Sequence, residues 1–164
     1  MKRLLFLLSG TVLWGASCEK KPDQYPPEPQ IYLLRTTPNT IDLADTAAMV
    51  KIDLEFTDGD GDIGTNPNPD AGPFNIFLKD ERDTSSAPYT YQQAFPYIED
   101  YMRPAEGGLE GFITVNLRSN YFVAYLDSTH LAQRRDTTRY SIYIQDDAGN
   151  KSNVVTSDYI YMHF

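Results

Sequence analysis

The residues best suited to chemistry lie together. The segment Asp58-Gly59-Asp60-Gly61-Asp62-Ile63-Gly64 sets three carboxylates at alternate positions with glycines between them. Glycine lets a chain curl through backbone conformations denied to other residues, so these carboxylates can converge on one hard cation. Calcium, which takes roughly six to eight oxygen ligands in a flexible shell, fits that donor set best. With no cation present, the clustered charges repel one another and the loop loosens. The spacing begins like an EF-hand loop, but Ile63 stands where that motif has its glycine and the twelfth position is Pro69 rather than glutamate. It is not an EF-hand. Repeated Asp-Gly also makes ordinary turns, in which the aspartates are simply solvated.

A second acidic group, Asp146-Asp147-Ala148-Gly149-Asn150, falls near the end of the chain. In an immunoglobulin-like sandwich the loop after the second strand and the loop between the last two strands emerge at the same end. Asp146, Asp147 and Asn150 are therefore expected to join Asp58, Asp60 and Asp62 as metal ligands, tying the two sheets together at one apex. Hairpin-turn chemistry alone also accounts for these three residues.

The elements that must position such a site are strands. Val50, Ile52, Leu54 and Phe56 alternate with Lys51, Asp53, Glu55 and Thr57, the two-residue period of a strand with one face on a core. Similar patterning predicts strands over 30–36, 73–79, 111–118, 139–146 and 153–163, the last two forming a hairpin. Residues 128–135 can make one or two helical turns capped by Asp127 or Ser128. The chain reads as all-β, an immunoglobulin-like β-sandwich with a small β-barrel as the alternative. Residues 83–108 lack alternation and read as a long loop or edge-strand insertion. Tyr89, Tyr91 and Tyr97 within it can stack on sugar rings, or can pack on the core.

The 164 residues begin with Lys2 and Arg3, an apolar run over Leu4–Leu8 and Val12–Trp14, and small residues Gly15, Ala16 and Ser17 before Cys18. Basic, apolar, small is the order of an export signal, and the run is short for a permanent membrane span. The stretch Leu13–Cys18 resembles the bacterial lipobox, with Gly15 where a branched apolar residue is usual. Residues 1–17 are thus expected to be a lipoprotein signal peptide, Cys18 the lipidated N-terminus carrying acyl chains such as palmitate, 18–29 a Pro-rich tether and 30–164 the sandwich domain. Cys18 is the sole cysteine, so no internal disulfide is available and the domain rests on its core or on a bound ion.

The charge is −9, and losing Lys2 and Arg3 with the signal leaves 12 basic against 23 acidic residues, or −11. Such a balance repels phosphate backbones, so nucleic acid is excluded as a partner.

Phe56–Gly64, with Tyr143–Asn153 near the end, resembles Bacteroidetes-type lipoproteins that carry an immunoglobulin-like domain and a DGDGDIG acidic loop, a largely uncharacterised family. The resemblance implies a sandwich held at the outer membrane of the cell envelope, and supplies no catalytic residues. For an enzyme the chain offers His130 and His163, with many carboxylates and serines, but no nucleophile elbow, metalloprotease helix or paired cysteines. The expected role is a non-enzymatic, calcium-stabilised binding or accessory module for a glycan or an envelope protein. A structural subunit of an envelope complex is the alternative, and a hydrolase comes after both.

Overall fold

The computed structural model describes residues 25–68, 72–85, 91–105, 108–126 and 128–164. The signal segment with Cys18, and Tyr89 and Asp127, lie outside the described residues. In chain order the strands are β1 (Gln30–Thr37), β2 (Thr40–Asp42), β3 (Met49–Asp58), β4 (Ile76–Asp80), β5 (Tyr91–Gln93), β6 (Leu109–Arg118), β7 (Arg135–Thr138), β8 (Tyr140–Ile144), β9 (Val155–Thr156) and β10 (Ile160–His163). Among the described residues one short α-helix, α1 (Ser128–Gln133), falls where a brief helical segment was expected. Among the described residues no helix is long and apolar enough to cross a membrane.

Two sheets form the sandwich, in the orders β1-β3-β6 and β5-β4-β8-β9. A third, β2-β10-β7, continues the second, because only Arg139 separates β7 from β8. None closes into a barrel. Setting aside the third sheet, the first, second and fifth strands lie in one sheet and the third, fourth, sixth and seventh in the other. This is the Greek-key distribution of an immunoglobulin-like sandwich, with the fourth strand on the second sheet instead of beside the fifth.

The longest ladder pairs all of β3 with β6 in antiparallel register from Met49↔Arg118 to Asp58↔Leu109. Alternation decides its faces: Val50, Ile52 and Leu54 are fully buried, while Lys51 stands in solvent. Opposite them Leu78, Ile142 and Ile144 fill the other half of the core. Burying each such side chain contributes about 1.5–3 kcal/mol.

The predicted strand over 153–163 is in fact two strands in different sheets. β9 pairs with β8, then the chain breaks away and β10 lies parallel to β2 and antiparallel to β7. Side chains explain the break. Asn153 takes the Ile31 N–H on Oδ1 and returns Nδ2 to the Ile31 carbonyl, both at 2.8 Å. Asp158 accepts the Thr36 N–H at 3.2 Å and gives its own N–H to Thr36 Oγ1 at 3.1 Å. Two side chains thus bond the outer edge of β1 as a neighbouring strand would, and the backbone between them is free to change sheets.

An ion triad closes the opposite end. Arg82 grips Asp80 through Nε at 3.0 Å and a terminal nitrogen at 2.6 Å, reaches Asp136 at 2.5 Å, and donates to the Phe122 carbonyl at 2.9 Å. Asp80 is fully buried and also accepts from Thr138 Oγ1 at 2.6 Å.

Candidate metal centre

Asp58 is the last residue of β3, and it continues the inward phase of Ile52, Leu54 and Phe56. Strand periodicity therefore drives a carboxylate into the sandwich, where it is 0% exposed. Its Oδ2 accepts the Ile63 N–H at 2.9 Å, closing the loop on itself. Ile63 is fully buried and pins the turn to the core. Gly61 and Gly64 have φ of +71° and +69°, so the curl needs residues without a side chain at these two points. Asp58 Oδ1 and Asp62 Oδ1 are buried and have no hydrogen-bond partner among the described residues.

The second strand system delivers a fourth carboxylate by the same logic. Asp146 follows the inward-facing Tyr140, Ile142 and Ile144 and is 3% exposed. Its oxygens accept the Asn150 backbone N–H at 2.7 Å and Nδ2 at 2.9 Å. Asp58, Asp60, Asp62 and Asp146 each present an oxygen within 4.8 Å of the others. Such a cluster can hold a metal ion.

Of the six residues expected to bind metal, four converge and two stand behind them. Asn150 spends its amide on Asp146, orienting that carboxylate. Asp147 is exposed and clamps neighbouring loops, accepting the Thr65 N–H at 3.4 Å, the Thr65 hydroxyl, and Asn75 Nδ2 at 3.3 Å.

The electrostatics follow from this crowding. Burial, with Asp60 and Asp62 alongside, pushes the Asp58 carboxyl up to about 7 against the help of the Ile63 N–H. Burial, with Asp146 and Asp60, also raises Asp62. A buried carboxylate lacking a partner costs several kcal/mol in its charged form, and a bound cation offsets that cost.

Sequence reasoning missed Arg103. Its guanidinium donates to the carbonyls of Gly61 at 2.6 Å, Ile63 at 3.1 Å and Gly64 at 2.7 Å, holding the loop by its backbone and leaving the carboxylates to one another. Nothing in the pattern of residues 83–108 singles it out.

The tyrosines proposed to contact a ligand are placed differently from one another. Tyr91 is half-buried, its ring 4.8 Å from Tyr121 and 6.2 Å from Tyr140, with its hydroxyl on the Tyr121 carbonyl. Tyr97 is half-buried, and Tyr89 lies outside the described residues. The openly exposed aromatics are elsewhere, among them Tyr32, Tyr101 and Phe112. His163 is exposed on β10, and the His130 side chain lies outside the described residues.

The fold and site together define an all-β sandwich with a four-aspartate cluster at one apex. No protein-family model, curated protein or solved structure matches the chain.

Proposed function

We propose that this protein is a lipid-anchored module of the bacterial cell envelope, tethered to the outer membrane through Cys18, whose sandwich is stabilised by calcium and serves binding or assembly instead of catalysis. The observation that carries the calcium reading is Asp58. Its carboxylate is wholly buried, one oxygen is unpartnered, and three further carboxylates face it within 4.8 Å. The all-carboxylate donor set suits calcium, because magnesium holds on to more of its water and takes fewer protein carboxylates.

The envelope reading is supported by the residue order from Lys2 to Cys18 and by the prolines that follow. The partner is a glycan or another envelope protein, and the exposed aromatics Tyr32, Tyr101 and Phe112 are the surface groups suited to either. Incorporation of labelled palmitate, lost in Cys18→Ala, checks the anchor.

Thermal unfolding with calcium and with chelator tests the ion site, comparing wild type with Asp60→Ala. A ligand that binds only the folded state raises Tm. The expected result is a calcium-dependent rise in wild type that is lost in the variant. No calcium dependence in wild type overturns the proposal.

A further inference from the structure

The acidic loop gathers its carboxylates toward one another, Asp58 buried and Asp60 exposed, and separate stretches of chain hang on its backbone. On one flank the Gly59 N–H donates to the Pro26 carbonyl at 2.9 Å. Gly59 has room for no side chain there, since a Cβ would collide with the carbonyl oxygens of Tyr25 and Pro26. The same stretch touches β6 through the Tyr25 hydroxyl on Glu110. On the other flank Arg103 holds the carbonyls of Gly61, Ile63 and Gly64, and the Ile98 N–H donates to Gly64 O at 2.9 Å. This second stretch carries Tyr101 and Met102, which are 85% and 61% exposed.

We infer that cation loading of the Asp58–Asp62 loop controls how firmly residues 25–29 and 96–103 are held to the sandwich, so that the loop is a junction between the entering chain, an exposed aromatic arm and the core. The inference rests on the cation reading above. With an ion in place the four carboxylates are drawn together, and the backbone N–H and carbonyl groups behind them stay in the positions that Pro26, Ile98 and Arg103 use. With the ion removed, like charges within 4.8 Å push the loop apart, and those groups move with it. The ladder between β3 and β6 does not depend on the loop and stays paired without the ion. Calcium therefore sets both the angle at which the entering chain leaves the domain and the presentation of Tyr101 and Met102.

Amide hydrogen exchange on the full chain, with calcium or with chelator, reads both flanks separately from the core, while calorimetric titration with calcium on the same sample reads binding. Expected is exchange slowed about tenfold or more by calcium at the Gly59 amide, which is bonded to Pro26, and at the Ile98 amide, which is bonded to Gly64, while the middle of β3 slows only by the global stabilisation that Tm reports. Calcium binding without added protection at either amide overturns the junction and leaves the cation reading intact. Absence of calcium binding overturns both. Two variants separate the flanks. Gly59→Ala should abolish the gain at the residue-59 amide and keep it at Ile98, and Arg103→Ala should do the reverse. Loss of both gains in each variant, with binding retained, also overturns it, because the flanks would then not be independently seated.

Discussion

Asp58 and Asp146 come from opposite sheets, and each reaches the same point by carrying on the inward phase of its own strand. Neither needs a special turn to be buried, because alternation along β3 and β8 has already aimed the position inward. What the turns supply is the company of Asp60 and Asp62 and the amide of Asn150.

Replacing Asp58 with Asn removes a charge while keeping the shape of the side chain. The chelated variant should melt above chelated wild type, because one member of the repelling set is gone. Its response to calcium should largely disappear. Wild type at a hundredfold excess of calcium over Kd should gain ~2.7 kcal/mol, a rise in Tm on the order of 10 °C for a domain of this size. Differential scanning calorimetry of both proteins checks this.

The ion-free protein should respond to pH in the direction opposite to ordinary acid unfolding. The folded-state carboxyl of Asp58 titrates at about 7 against its ordinary 3.8, raised by burial with Asp60 and Asp62 beside it. Between those values the folded chain holds a proton that the unfolded chain has released. The contribution is complete below the unfolded value and is lost as pH rises through about 7. Chelated protein should therefore lose Tm from about pH 5 to about pH 8, while the increment given by calcium grows over the same window. Melting curves across that range decide it, and a chelated Tm that climbs with pH would falsify the assignment.

Arg82 neutralises two carboxylates at once, with side-chain exposures of 12% for Arg82, 0% for Asp80 and 7% for Asp136. Arg82→Met leaves Asp80 charged and enclosed. Removing one partner of such a buried pair costs about 3–5 kcal/mol. Urea unfolding should show that loss, and Thr138→Val, which deletes one hydrogen bond to Asp80, a smaller one of about 1–3 kcal/mol.

Asn153→Ala strips both hydrogen bonds from Ile31 and leaves a buried strand edge without donor or acceptor on that side. A loss of about 1–3 kcal/mol is expected in chemical denaturation. The neighbouring Val154 is 55% exposed, and Val154→Ala should fall within about 0.5 kcal/mol of wild type.

How much was legible in the sequence depends on the range of the interaction that decides each feature. The alternation of Val50 to Phe56 and of Tyr140 to Ile144 is local, so these strands could be read from it, and the meeting of Asp58 with Asp146 followed from the end of a sandwich at which those two loops emerge. β2 is three residues long and carries no period to read. β7, Arg-Asp-Thr-Thr, has no apolar face; it is a strand because β10 pairs with it, and its first residue falls within a stretch expected to be helical. The departure of β10 from β9 is decided by Asn153 and Asp158 meeting Ile31 and Thr36, each 122 residues away in sequence. Arg103 finds the loop carbonyls 39 to 42 residues away and Arg82, besides its neighbour Asp80, reaches Asp136, 54 residues away, through contacts that leave no trace in local composition. Asp147 stands one position past the inward-facing Asp146, and alternation turns it outward to Thr65 and Asn75, a placement decided by residues 72 and 82 positions away.

The double seam on β1 has a mechanical side. A force applied upstream of Gln30 and directed along the strand meets the β3 ladder on one edge and the Asn153 and Asp158 side chains on the other, all lying across the line of pull. Those bonds are loaded together in shear and not peeled one after another. Tension entering along the N-terminal chain is thereby spread over bonds on both edges of the first strand.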